Sequence, residues 1–161
     1  MVVKLLGRKE ILHDAEEFYI KEAGWREKKE LHQLFRETFS HDWKAPPGGK
    51  LALIAVEKNA NKIIGGIERT VDVKSSSAEQ GSLAVLPEFR KRHIGTALLE
   101  TMDEELKKIG IRKVSIMPTE KSLNIFRKHG YDRPDEVKEE LRMKNADEKE
   151  HIPGEKLVKK L

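Results

Sequence analysis

The chain has no cysteine. That removes disulfides, thiolate metal sites and a cysteine nucleophile together, and is the usage of a reducing compartment. Histidine is present six times, at His13, His32, His41, His93, His129 and His151, but never in an HxH or HxxxH spacing, so no zinc site is expected. No apolar run approaches the roughly 18 residues of a membrane span. The N-terminal MVVKLLGRKEILHDAEE carries early charges and no long apolar segment, unlike a secretory signal. A cytoplasmic protein with no membrane partner is the expectation. Charge of one sign is also lacking: 32 Lys and Arg are interspersed with 28 Asp and Glu, for a net charge of +4. Charged residues reach 37% of the chain, against about 25% in an average domain, which describes a solvated, ion-paired surface. A nucleic-acid binder gathers its basic residues into a patch, so nucleic acid is not an expected partner. A homodimer is left open.

With 161 residues the chain is long enough for one domain with a sizeable core, and 1–161 is taken as a single domain. Residues 1–16 give no clear pattern and read as an N-terminal extension. FYIKEA (Phe18 to Ala23) reads as a strand. Leu31, Leu34, Phe35 and Phe39 recur at helical spacing, so a helix runs from Arg26 to Phe39. Pro46-Pro47-Gly48-Gly49 makes Ser40 to Lys50 a loop. LALIAVE (Leu51 to Glu57) and Lys62 to Val73 form an antiparallel hairpin around Lys58 to Asn61. Ser75 to Gln80 is a polar break, and GSLAVL is the next strand. Leu98, Leu99, Met102, Leu106 and Ile109 mark one face of a helix that stops at Gly110. RKVSIMP is a strand, and Lys121 to His129 a short helix capped by Gly130. ELRMK (Glu140 to Lys144) reads as a last strand, and the charged tail from Asn145, 145–161, as loosely packed or helical. This order fits a mixed α/β (α+β) fold, its central sheet flanked by helices, with a βαβ unit from Leu83 to Ile116.

The chemistry concentrates in LAVLPEFRKRHIGTALL, Leu83 to Leu99. An apolar strand runs through Pro-Glu into Arg90, Lys91 and Arg92, and a helix opens near Gly95. Free N–H groups at a helix start, with the helix dipole, make an anion site. A basic solvated turn would look the same by charge alone.

This stretch resembles the signature of the GNAT superfamily of acetyl-CoA-dependent N-acetyltransferases: a strand, an acidic or Pro-Glu turn, then Arg/Gln-x-x-Gly-x-Gly/Ala opening a long helix. Arg90, Ile94, Gly95 and Ala97-Leu98-Leu99 fall at the matching places. NIFRKHGY (Asn124 to Tyr131) resembles the family's Phe-Tyr-x-x-x-Gly-Phe segment downstream. The resemblance is clear from Leu51 to Tyr131, extends back to Phe18, and leaves out residues 1–16 and the tail. It implies a mainly antiparallel central sheet with one βαβ cofactor-binding unit and, as cofactor and partner, acetyl-CoA or CoA. The backbone of Leu83, Ala84 and Val85 would pair with the pantetheine arm, beside a narrow gap. Lys91, Arg92, His93, Ile94, Gly95 and Thr96 would bind the pyrophosphate. His93 stands where the family carries glycine; it is expected to resist positive φ and to point its side chain outward.

The same resemblance implies acetyl transfer to a primary amine of a small molecule or protein. Glu79 would be the catalytic base, eleven residues before Arg90, although a strand-start glutamate is equally an exposed surface residue. Glu68, on the previous strand, is a weaker substitute. A backbone N–H near Val85 would hold the oxyanion. The chain departs from the family at Phe126, where a tyrosine usually serves as general acid, and at Thr119, where asparagine is common. Tyr131 is expected in the core. These departures keep a non-catalytic acyl-CoA-binding module as the alternative. The acceptor pocket is expected between the first helix and the Ser40–Lys50 loop, where Trp25, His41, Asp42 and Trp43 are equally packing residues.

Overall fold

The computed structural model describes residues 10–79, 81–144 and 155–161. Its elements in chain order are β1 (Ile11–Asp14), β2 (Phe18–Glu22), α1 (Trp25–Thr38), β3 (Lys50–Glu57), β4 (Lys62–Asp72), β5 (Ser77–Glu79), β6 (Leu83–Val85), a 3-10 turn (Pro87–Phe89), α2 (Ile94–Lys108), β7 (Lys113–Ile116), α3 (Leu123–Lys128), α4 (Asp135–Met143) and β8 (Leu157–Lys160). The strands form one sheet in the order β1-β2-β3-β4-β5-β7-β8, with β6 also on β4. Among the described residues every pairing is antiparallel except β5 with β7. This is the mixed, mainly antiparallel sheet flanked by helices that the sequence implies.

Strand β3 shows why the sheet needs helices on both faces. Ala52, Ile54 and Val56 pack with Leu31, Leu34 and Phe35 of α1. Leu53 and Ala55 alternate to the other face, where Leu98, Leu99, Met102 and Leu106 of α2 cover them. The stripe read along 98–109 is therefore a buried face as far as Leu106, while Ile109, just past the helix end, is half exposed. The N-terminus of α1 is closed by its own side chain, since the Gly24 N–H donates to Glu27 Oε1 at 2.8 Å.

Four expectations change. Within the 1–16 extension, Ile11–Asp14 is a strand paired with β2. The polar break at 75–80 contains β5, which gains strand geometry from neighbours on both sides: Thr70–Asp72 in β4 and Lys113–Ser115 in β7. Glu140 to Lys144 belongs to helix α4, not a strand; Asp135 and Glu136 in its first turn suit the helix dipole, and Val137 and Leu141 share one half-buried side. In the tail, Leu157–Lys160 pairs with β7, so these residues are neither loose nor helical. Residues 145–154 lie outside the described residues.

The βαβ expectation is also corrected, and here the correction makes the site. The strand parallel to β7 is β5, not the Leu83 strand. Strand β6 continues β5 along β4, but the chain shifts register between them, and β6 does not pair with β7. Gly81 lies in the offset. A Cβ there would overlap the Glu68 carbonyl, so only glycine allows the strand to press this closely on β4. The sheet thus splits between β6 and β7.

Candidate active site

The split leaves one edge of β6 open. Glu68 donates its N–H to the Ser82 carbonyl at 2.9 Å, and Leu86 donates to Ile64 at 2.8 Å. Strand alternation then turns the peptide groups of Ser82, Ala84 and Leu86 toward β4, and those of Leu83 and Val85 toward the gap. Leu83 and Val85 hold the edge the resemblance calls for. Ala84 does not: its backbone serves β4, and its methyl packs under α1. The gap opens into a cleft of about 240 Å³. One wall is Ser82 and Leu83, the other Ile116, Met117 and Phe126, with Phe39 and Trp43 at the α1 side.

At the other end of β6 the chain passes the 3-10 turn and enters α2. The first intrahelical bond runs from the Ala97 N–H to the His93 carbonyl at 3.0 Å, and no side chain caps the helix. The N–H groups of Ile94, Gly95 and Thr96 therefore point out of the helix end without a side-chain acceptor. They face a hollow of about 420 Å³ bordered by Val85, Arg90, Lys91, His93, Gly95 and Ile125. Ile94 is 3% exposed and anchors the helix start in the core.

His93 departs from its expectation. It adopts φ 64°, ψ 15°, the left-handed conformation a glycine would take, and Lys91 also sits at φ 64°. Each such non-glycine residue costs about 1–2 kcal/mol. Histidine is among the side chains that tolerate this region, and here it is exposed, as expected, so nothing blocks it. Arg92 leaves the cradle: its guanidinium lies over the Phe89 ring at 5.4 Å and 3.7 Å from Glu17. Arg90 spends its Nε–H on the Val85 carbonyl at 3.1 Å, tying the turn to β6. Of the three basic side chains, Lys91 and Arg90 border the hollow and Arg92 does not.

The candidate acid–base groups fall on the α1 face. Glu79 pairs with Thr70 and Ser115, is exposed, and lines a hollow of about 140 Å³ with Ser115, Met117 and Lys156. That hollow shares Ile116 and Met117 with the cleft. Glu68 is 1% exposed, and its Oε2 lies 2.7 Å from His32 Nε2. Its Oε1 has no partner among the described residues. Phe126 forms the cleft wall and meets Tyr131 edge-to-face at 5.4 Å. Tyr131 is core, as expected: its hydroxyl donates to Asp103 at 2.8 Å, and burial holds it protonated far above the usual tyrosine range. Trp43 packs on Phe35 and lines the cleft, whereas Trp25 is 66% exposed and His41 and Asp42 are exposed.

Two contacts escaped sequence reasoning: the His32–Glu68 pair and the bond from Trp43 Nε1–H to Ser82 Oγ at 3.0 Å. His32 borders the Leu31–Phe35 stripe, which was the available signal. Nothing marks Ser82 within GSLAVL.

The fold that carries this split sheet and helix start is similar to that of solved proteins. An acetyltransferase from Staphylococcus aureus superposes with a TM-score of 0.65 at 14% identity, over 89% of this chain and 99% of that one. An aminoglycoside 6'-N-acetyltransferase solved with coenzyme A gives 0.63 at 18% identity, over 88% and 96%. The PaiA N-acetyltransferase of Thermoplasma acidophilum, also solved with coenzyme A, gives 0.54 at 20% identity, over 84% and 71%. At these identities the likeness is one of fold. No curated protein matches the sequence. The acetyltransferase (GNAT) family model matches residues 9–131, a span that holds β1, the split between β6 and β7, the uncapped start of α2 and the Phe126 wall, and the chain belongs to that family.

Proposed function

We propose that the chain binds acetyl-CoA and transfers its acetyl group to the primary amine of a small molecule or protein. The observation that carries this reading is the alignment of two binding surfaces: the open edge of β6 leads at one end to three uncapped N–H groups and at the other to the cleft. An extended chain with peptide-like groups pairs with the first surface, and a pyrophosphate suits the second. The coenzyme A complexes of PaiA and the aminoglycoside enzyme, both of the same fold, support it.

Transfer needs a neutral amine, yet a lysine-like amine has a reference pKa of about 10.4. Glu79, at the rim on the α1 face, is assigned the proton, through a water where the acceptor stands off. The leaving thiol has a reference pKa of about 8.5, so it departs as thiolate near neutral pH without a strong acid. Phe126 is therefore compatible with turnover. Phe39 and Trp43 at the α1 side give the acceptor an apolar approach.

The alternative, an acyl-CoA-binding module without chemistry, draws on the apolar Phe126 wall. Thiol release from acetyl-CoA against a panel of amines separates the two. The expected result is steady release that depends on the concentration of at least one amine. Binding of CoA with no release for any amine assigns the module, and neither binding nor release contradicts both.

A further inference from the structure

We propose that the Ser82 hydroxyl is a hydrogen-bond donor, additional to the backbone N–H near Val85, that stabilises the negative charge built up on the thioester oxygen during transfer, in a cleft whose opposite wall has no hydroxyl at Phe126. The inference rests on the acetyltransferase reading above.

Ser82 stands on the cleft wall at the register shift between β5 and β6. Its carbonyl is committed to the Glu68 N–H. Its Oγ lies 3.0 Å from Trp43 Nε1. Indole nitrogen only donates, so the serine oxygen must accept, and the serine keeps its own hydrogen for another acceptor. The Trp43 ring is held in turn by His32 at 5.1 Å and Phe35 at 5.0 Å, between centroids. His32 is fixed by the buried Glu68 carboxylate at 2.7 Å. Glu68, His32 and Trp43 are thus positioning residues, each fixing the next, and Ser82 is the group that reaches the cleft. The other hydroxyls on the cleft, Thr119 and Ser122, have partners for both hydrogens: Ser122 Oγ donates to the Thr119 carbonyl at 3.2 Å, which leaves Thr119 Oγ1 to donate to Ser122 Oγ at 3.0 Å. Among the described residues Ser82 is the cleft hydroxyl whose hydrogen has no partner.

The step balances as follows. The amine lone pair forms the C–N bond, and the carbonyl π pair moves onto oxygen, where Ser82 donates a hydrogen bond and keeps its proton. The carbonyl re-forms as the C–S bond breaks and the thiolate leaves, taking a proton from solvent. The nitrogen proton goes to Glu79. A fixed donor aimed at developing charge is worth about 10²–10³ in kcat.

The test uses the whole chain, acetyl-CoA and an amine that supports thiol release. Ser82→Ala should lower kcat about 10²-fold and leave the CoA dissociation constant and the acetyl-CoA KM unchanged. Ser82→Thr, which keeps the hydroxyl, should recover most of the loss. Trp43→Phe, which keeps an aromatic ring against His32 and Phe35 but removes the indole N–H, should lower kcat less, and the double variant should be no slower than Ser82→Ala alone. A parental kcat in Ser82→Ala overturns the proposal, as does a loss of CoA affinity that parallels the loss of kcat, the mark of a merely structural serine. If Ser82→Ala does not fold, Trp43→Phe decides, and a parental kcat there overturns the proposal. A parent chain that binds CoA but turns over no amine overturns the acetyltransferase reading itself.

Discussion

Gly95→Asp should weaken CoA binding by about 10²-fold while the protein stays fully folded. A Cβ at Gly95 would meet Ile125 Cδ1 at 3.7 Å and Val85 Cγ2 at 3.9 Å, ordinary contacts that ask nothing of the fold. An acidic residue in the first turn of α2 favours the helix by about 0.3–1 kcal/mol. The melting temperature should therefore hold or rise. For an incoming pyrophosphate the same carboxylate occupies the uncapped N–H groups and repels the ligand, and two unit charges 4 Å apart interact with about 4 kcal/mol near a protein surface before salt screening. Lys91→Ala removes one exposed cation, worth about 0–1 kcal/mol, or at most about fivefold in affinity. Calorimetric titration of CoA into both variants, with thermal melts alongside, makes the comparison. If Lys91→Ala is the more damaging, side-chain charge carries the site and the backbone cradle does not.

Glu79→Gln should lower kcat by about 10²–10⁴ and leave CoA affinity as in the parent. Glu79 is exposed at the end of β5, so glutamine there disturbs no packing, and the loss reads the chemistry directly. The cradle at 91–96 lies beyond the far end of β6, so cofactor binding should not sense the change. With proton removal from the amine slowed, the variant should recover rate as pH rises and more of the amine is neutral in solution. Rates of thiol release across pH, for one amine from the panel, provide the check. An unchanged rate at every pH removes Glu79 from the mechanism and transfers the proton to another acceptor.

What the sequence made legible was local. The apolar stripe as far as Leu106, the 51–73 hairpin, and the strand and helix of the 83–99 passage each carry their pattern within a few turns or strand lengths, and these elements are found where their patterns put them. What it hid was non-local. Ser77–Glu79 is three residues long, with Ala78 its one apolar residue, and becomes a strand only because β4 and β7 flank it. Leu141 and Met143, two apart, imitate strand alternation inside a helix whose Val137–Leu141 spacing was the truer signal. The split between β6 and β7 depends on a register shift at Gly81, and register leaves no trace in composition. His32 and Glu68 are 36 residues apart and meet only because α1 crosses β4. His93 was legible as the missing glycine but not in its conformation, because the buried Ile94 beside it holds the backbone where glycine would have gone unaided.

The most direct test is the thermal melt of the purified chain with and without CoA. A ligand that binds only the folded state adds about 2.7 kcal/mol at a concentration 100 times its dissociation constant, which for a chain of this size raises the melting temperature by about 5–10 °C. The site described predicts that rise in the parent and its loss in Gly95→Asp. A folded parent whose melting temperature does not move at millimolar CoA contradicts it.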